Sequence, residues 1–371
     1  MIAVLTQCFP SRVGGIESLM SNLSLSLSNT YKVVVFADRH HLFFDSIYDN
    51  KVKKKLLIRR TGGIKFFRRR KKIKEFKFFL LSGQITCVIA DSWKSLELCA
   101  DFIISKKIPI ICLAHGNELL NKNKNKIKTI FNVLNSTNVV VANSEYTLNL
   151  VKKIGLQKPM LKKIHPGTEN IFQVSESKIK NLTGNPILLT LARLEKRKGH
   201  VYIINCIEKL INQFENLQYL IAGEGPEIRS LKKIVKTKKL NKNVIFLGKV
   251  NESQKKYIFK KTDLMVMPTI DESVNHSIEG FGISYIEAAL FGIPSIASNV
   301  GGTSEAVIHN KTGIILNNIN ELEQNLKELL TNKEKRLKLG KAAQERAINE
   351  LQWDKIEKEY LSLISTITVN R

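Results

Sequence analysis

Glu279 and Glu287 stand eight positions apart, with a Gly280-Phe281-Gly282 turn between them. An apolar run ending in proline, 264–268, precedes them; a second apolar run, 294–297, and a Gly301-Gly302 pair follow. The pattern reads as strand, loop, helix start, helix, strand, loop. Glycine lets backbone amides approach a ligand closely, and the free N–H groups of a helix start favour negative charge. Carboxylates beside a bound anion need another task, such as accepting hydrogen bonds from hydroxyl groups. Amides for phosphate and carboxylates for hydroxyls together suit a nucleotide sugar.

Such a ligand needs cations. Arg193 and Lys198 flank a turn at the end of the apolar run 187–192. A diphosphate there would gain a bidentate partner from Arg and a point charge from Lys; the plainer reading is an exposed basic loop. Gly14-Gly15 follows the apolar run 2–6 and directly precedes Leu19, Leu23 and Leu27 at helical spacing. That pair reads either as a phosphate loop or as a plain turn. His115 ends the run 108–114. Carboxyl ends of strands gather functional residues in open α/β sheets, although a lone histidine is more often structural.

Short runs rich in Ile, Val and Cys alternate with helical segments along the chain, a sequence of β/α units. At 371 residues the chain suits two domains. Residues 1–170 and 186–350 are expected to be two doubly wound Rossmann-like domains facing a central cleft, joined by the polar stretch 169–186. The last helix, 353–371, is expected to cross back to the first domain. Lys plus Arg number 59 against 33 Asp plus Glu, a formal charge of +26. A Lys-, Asn- and Ile-rich composition accounts for this as well as contact with anions does. Roughly half of 51–74 is Lys or Arg with no acidic residue, and apolar side chains interleave the basic ones through 51–79. This reads as a basic amphipathic surface element for an anionic membrane, against a solvated helix or a nucleic-acid surface. Five cysteines without a C-x-x-C pair suggest reduced, mostly buried thiols and a cytoplasmic chain. The opening apolar run is too short for a secretory leader, and no run of about 18 apolar residues occurs, so membrane contact is expected to be peripheral.

Gly14-Gly15-Ile16-Glu17, His115-Gly116, Asn143-Ser144-Glu145-Tyr146-Thr147, Arg193 with Lys198-Gly199, Gly223-Glu224-Gly225-Pro226 and Glu279-x7-Glu287 occur in this order. As an ordered set they resemble the retaining glycosyltransferases of the GT-B fold, specifically the nucleotide-sugar transferases of family 4, over nearly the whole chain. The resemblance implies that Glu287 holds the donor ribose and that Glu279 sits near the donor sugar. Phe281, Gly282 and Ile283 would present backbone amides to the sugar and diphosphate, and Arg193 and Lys198 would neutralise the leaving diphosphate. Gly14 and Gly15 would close over the phosphate, His115 would lie near the sugar, and Lys249 and Val250 would meet the nucleobase. The segment 165–169 departs from the usual Pro-Asn-Gly pattern, and 271–278 makes a longer polar approach to Glu279.

The implied reaction moves a hexosyl group from a UDP- or GDP-sugar to a glycan or lipid-linked acceptor, in cell-surface polysaccharide synthesis at the inner membrane face. Preorganised cations can stabilise the leaving phosphate without a metal, and no Asp-x-Asp motif occurs, so neither metal nor cofactor is expected. No protein nucleophile is assigned. A nucleotide-sugar 2-epimerase or a sugar phosphorylase on the same fold is the alternative, although neither an epimerase acid/base set nor a cofactor lysine site is identified. A nucleic-acid partner is disfavoured, because Glu279 and Glu287 would repel a phosphate backbone.

Overall fold

The structure is a computed structural model and describes residues 1–369; residues 370 and 371, the end of the expected last helix, lie outside the described residues. Two all-parallel sheets form, their central strands from short apolar runs buried on both faces. The first contains β1 (Ile2–Thr6), β2 (Val33–Asp38), β3 (Leu56–Thr61), β4 (Cys87–Ala90), β5 (Ile110–Ala114), β6 (Val139–Ala142) and β7 (Met160–Lys163), in the order β3-β2-β1-β4-β5-β6-β7. The second contains β8 (Ile187–Leu191), β9 (Gln218–Ala222), β10 (Val244–Gly248), β11 (Leu264–Met267), β12 (Ser295–Ser298) and β13 (Gly313–Leu316), in the order β10-β9-β8-β11-β12-β13. Strand order reverses between β1 and β4 in one sheet and between β8 and β11 in the other. Ligands of doubly wound sheets sit outside the strand carboxyl ends at such points.

Among the described residues, one compact unit comprises 1–167 with 353–369; the other comprises Thr168–Gln352. Each sheet carries an apolar cluster on both faces. In the first unit α1 (Gly15–Leu27) and α2 (Leu42–Val52) cover one face, and α3 (Lys65–Leu80) covers the other through Ile73, Phe76 and Leu80. The terminal helix completes the α1 face with Trp353, Ile356, Tyr360, Leu363 and Ile364. The second unit uses α4 (His200–Leu210), α5 (Glu252–Lys261), α6 (Ile283–Leu290) and α7 (Lys333–Glu350) around its sheet.

Two expectations need correction. The stretch 169–186 is not a free linker: Ile171 and Leu182 are 5% and 6% exposed within the second unit's core. Its polar composition hides two apolar side chains spaced too far apart to register as a pattern. The basic segment 51–79 is not one surface element. It divides into strand β3 and helix α3, and two of its cations are buried ion-pair partners. Lys72 Nζ lies 2.7 Å from Asp38 Oδ1 and donates to the Thr6 carbonyl at 2.7 Å. The Arg60 guanidinium meets Asp49 at 2.7 Å, Asp45 at 3.4 Å and the carbonyl of Pro10. Arginines at 59 and 60 mask the strand, because β3 is an edge strand whose alternate residues face water.

Packing of the terminal helix is directly testable. Ile356 is 2% exposed, so Ile356→Ala should cost about 2–5 kcal/mol and lower the urea midpoint of the first unit. An unchanged midpoint would mean that this helix does not close the α1 face.

Candidate active site

The turn after β8 is the most crowded ionic position of the second unit. A single helical turn, Lys196–Lys198, ends at Gly199, whose φ is +72°. A Cβ at Gly199 would stand 2.2 Å from the Pro268 carbonyl oxygen, so glycine alone lets this turn rest on the chain leaving β11. Ile270 N–H donates to the Arg197 carbonyl at 2.7 Å and fixes the same contact. Lys198 is thereby driven inward. Its Nζ donates to Glu279 Oε2 and lies 3.5 Å from Met267 Sδ. Arg197 bridges Glu279 at 2.6 Å and Glu195 at 3.1 Å. Arg193 Nη1 meets Glu195 at 2.9 Å and remains 59% exposed. Three cations thus share two carboxylates at the carboxyl edge beside the strand-order reversal.

Burial works against the charge on Glu279, but Lys198 and Arg197 outweigh it and hold this carboxyl down at about 2. Burial is also the main influence on Lys198; with the neighbouring Arg197 charge it lowers the ammonium pKa against the pull of Glu279. Beneath the turn, Thr190 Oγ1 donates to the Val266 carbonyl, so Tyr219 Oη donates to Thr190 at 2.8 Å and His200 Nδ1–H donates to Tyr219 at 2.9 Å. His200 Nε2 is left buried without a partner. Burial, then the Lys198 charge, pushes this imidazole down to about 4 and keeps it neutral.

Glu279 is fixed from its backbone as well. Gly302 N–H donates to the Glu279 carbonyl at 2.9 Å. Gly301, at φ +63°, would bring a Cβ to 2.1 Å from that same oxygen, so the glycine pair serves close approach of two loops. Tyr285 Oη donates to the Met267 carbonyl at 2.6 Å and pins α6 to the end of β11. Phe281 is 2% exposed, and its side chain packs in the core. Gly282 caps α6, and Ile283 begins it. Glu287 lies within α6, and its Oε1 accepts from Lys255 Nζ at 2.7 Å. Lys249 is exposed after β10, while Val250 is buried.

In the first unit, Asp91 organises the carboxyl edge at the β1/β4 reversal. Its carboxylate accepts from Thr6 Oγ1 at 2.8 Å, Gln7 N–H at 2.7 Å and Ser95 Oγ at 2.6 Å. Its carbonyl accepts from His115 Nε2–H at 2.8 Å. His115 N–H is held by Glu118 at 2.7 Å. At the start of α1 the buried Glu17 pairs with Arg12 at 2.8 Å. A Cβ on Gly14 would lie 2.3 Å from Glu17 Oε2, so the Gly14-Gly15 turn accommodates this carboxylate.

The structure therefore joins Lys198 to Glu279 and leaves Arg193 outside that contact. Sequence reading missed Arg197, Lys255 and Asp91. Arg197 sits between two other cations and carries no distinguishing signal; the position of Asp91 at a strand end was the one available clue.

Two family descriptions divide the chain between them. Residues 13–169 match Glycosyltransferase Family 4, and residues 173–346 match Glycosyl transferases group 1. With two parallel-sheet units of this topology, that pair defines a glycosyltransferase of the GT-B fold. The chain belongs to family 4 of these enzymes. A GDP-mannose-dependent alpha-(1-6)-phosphatidylinositol monomannoside mannosyltransferase of Mycobacterium tuberculosis is 28% identical over 171 residues, 46% of this chain and 44% of that protein, so the match spans less than half of that relative. The GDP-mannose-dependent monoacylated alpha-(1-6)-phosphatidylinositol monomannoside mannosyltransferase of Corynebacterium glutamicum is 24% identical over 367 residues, covering 95% of this chain and 94% of that protein. Among solved structures, Anabaena HepE in complex with UDP and glucose superposes with a TM-score of 0.80 at 18% identity, over 99% of this chain and 100% of that one. Sucrose-phosphate synthase of Thermosynechococcus elongatus gives 0.81 at 18% identity, with 100% of both chains covered. These likenesses establish a shared fold.

The buried ionisable groups set a pH dependence. A histidine ordinarily titrates near 6.5, whereas folded His200 does so near 4. Between these values the unfolded chain binds a proton that the folded chain refuses, so stability is lost as pH falls from about 6.5 to 4. His200→Asn, whose amide can replace the Nδ1 donor, should flatten the melting temperature across that window. Glu279 contributes in a lower window, losing its stabilisation as pH falls from 4.5 towards 2. An unaltered slope between pH 6.5 and 4 in His200→Asn would remove His200 from this account.

Proposed function

We propose that this family 4 enzyme is a retaining, metal-independent hexosyltransferase. It takes a hexosyl group from a UDP- or GDP-sugar and passes it to a glycan or lipid-linked acceptor in cell-surface polysaccharide synthesis. The observation that carries this reading is the buried Lys198–Glu279–Arg197 cluster at the strand-order reversal of the second sheet. When the bond between the sugar and the diphosphate breaks, negative charge gathers on the departing phosphate. Lys198 and Arg193 receive that charge, and preorganised cations need no reorganisation as it forms. The acceptor oxygen attacks the same face of the sugar, and its proton passes to the departing phosphate oxygen. Glu279 faces the donor sugar, the Phe281–Ile283 backbone meets the sugar and diphosphate, and Glu287 receives the ribose hydroxyls. Lys249 and Val250 meet the base. Gly14 and Gly15 serve the phosphate, and His115 serves the sugar. The two mannosyltransferase relatives use GDP-mannose, and HepE was crystallised with UDP and glucose; together they support a nucleotide-sugar donor without deciding the base.

The acceptor side of this reading places the enzyme at the inner face of the cytoplasmic membrane. Among the described residues no helix is long and apolar enough to cross a membrane. Large apolar side chains nevertheless lie open at the carboxyl edge of the first sheet. Leu42, Phe43 and Phe44 at the start of α2 are 55–69% exposed, and Ile64, Phe66 and Phe67 at the start of α3 are 59–75% exposed. Both helix starts adjoin, because β2 and β3 pair through Asp38 and Thr61 and Arg39 N–H donates to the Thr61 carbonyl at 2.8 Å. Arg39, Lys65, Arg70 and Lys71 are exposed around them. Aromatic side chains ringed by cations suit an anionic lipid surface. Residues 51–55, at the amino edge of β3, lie away from this corner.

UDP or GDP should raise the melting temperature in the absence of metal. Glu287→Ala and Lys198→Ala should each cut turnover at least about tenfold, the scale of losing one charge-stabilising contact. Near-normal rates in both would remove these residues from the site. With labelled nucleotide sugar, isomerised donor in place of transferred sugar would establish the epimerase reading. The wild type should sediment with phosphatidylglycerol vesicles and more weakly with neutral ones, and Phe43→Ser with Phe66→Ser should release it. Absence of binding at both low and high salt would defeat the membrane reading and leave the transferase reading intact.

A further inference from the structure

Lys255 is a well-held cation of the second unit that the reaction scheme leaves unused. It stands on α5, facing Glu287 on α6. Its Nζ is 2.7 Å from Glu287 Oε1 and 3.0 Å from Glu252 Oε1, and its side chain is 17% exposed against 21% for Glu287. Burial opposes the charge, yet the attraction of Glu287 and Glu252 outweighs it and holds the ammonium above its ordinary pKa.

The helix that carries Lys255 is firmly held. Asn251 and Gln254 form a reciprocal cap at its start, at 3.0 and 2.9 Å. Tyr257, Ile258 and Phe259 are buried in the core. Lys256 Nζ donates to the carbonyls of Phe172 and Val174 at 2.5 and 2.9 Å, which binds α5 to the folded-back stretch 169–186. The lysine stem therefore leaves from a fixed point, and the ion pair limits how the Glu287 carboxylate can turn.

A vicinal diol offers two O–H donors in one fixed geometry. A freely turning glutamate would have to be ordered on binding, and that ordering opposes affinity. With Oε1 held by an ammonium, the carboxylate is already charged and oriented, and Oε2 stays open as an acceptor. We infer that Lys255 is a positioning residue for nucleotide recognition: it sets Glu287 so that the carboxylate reads the ribose hydroxyls, and the preference for ribo- over 2′-deoxynucleotides depends on it. This rests on Glu287 being the ribose partner. Lys255 acts through Glu287 and touches no reacting atom.

The test is calorimetric titration of the full chain with UDP, GDP and their 2′-deoxy forms, alongside steady-state kinetics. Wild type, Lys255→Met, Lys255→Arg, Glu287→Gln and the Lys255→Met/Glu287→Gln double variant are compared. A hydrogen bond to a charged group is worth roughly tenfold or more in affinity, so wild type should prefer the ribose form by at least about that factor. Lys255→Met should lose most of the preference and raise the donor KM about tenfold, with kcat within about threefold. Lys255→Arg should restore it. The double variant should discriminate no worse than Glu287→Gln alone, because both act on one contact. A Lys255→Met protein that keeps the ribose preference while Glu287→Gln loses it would overturn the inference and spare the ribose assignment. Tighter nucleotide binding by Lys255→Met would also overturn it, since Lys255 would then be shielding Glu287. Should Lys255→Met fold poorly by circular dichroism, Lys255→Gln supplies the same comparison. A Glu287→Gln protein that keeps the preference would overturn the ribose assignment and the role of Lys255 together.

Discussion

Everything in the second unit's edge depends on one buried carboxylate with two cations on it. Glu279 is 13% exposed, and it shares Oε2 between Lys198 and Arg197. Burying such charges is expensive, and a buried pair is weak evidence for stability; removal of one partner leaves the other uncompensated. The cluster therefore makes more sense as a held potential than as a support. With Arg193 and Glu195 it places three cations against two carboxylates, an excess of one positive charge. The neutral His200–Tyr219–Thr190 chain beneath it supplies a polar floor without adding charge.

Backbone proximity makes this cluster possible. The Lys198 turn lies against Pro268, and Glu279 lies against Gly301, each at a distance no side chain would permit. The strand-order reversal between β8 and β11 brings these segments to one edge, since β8 leads into the basic turn and β11 leads towards Glu279. The first unit solves its own version with Asp91, which ties the loop after β1 to the ring of His115. In both units a buried carboxylate at a strand-order reversal collects hydrogen bonds from segments distant in sequence.

The parallel strands were legible because continuous Ile/Val runs have few other fates. Glu279, Glu287, Lys198 and the glycine turns were legible as positions because their order and spacing resemble a family pattern, and the two matched descriptions bear out the family. Strand β3 was not, since Arg59 and Arg60 interrupt it; only the structure shows Arg60 buried against Asp45 and Asp49. The fold-back of 169–186 was hidden for a similar reason, because Ile171 and Leu182 are isolated in polar sequence. Arg197 and Lys255 lay beyond sequence reasoning altogether. Each is one lysine or arginine among 59, and only tertiary contact with Glu279 or Glu287 distinguishes it.

The charge excess also divides on structural grounds. Lys72 and Arg60 are internal ion-pair members, while Arg39, Lys65, Arg70 and Lys71 surround exposed aromatic side chains. Composition alone could not separate these two populations. The central claim remains the diphosphate at the Lys198–Arg197–Glu279 cluster. A crystal structure of the protein with UDP or GDP tests it most directly. The account predicts a phosphate oxygen within hydrogen-bonding distance of Lys198 Nζ and the ribose hydroxyls on Glu287. A nucleotide seated with its phosphates away from Lys198, and with Glu279 still capped by both cations, would contradict it.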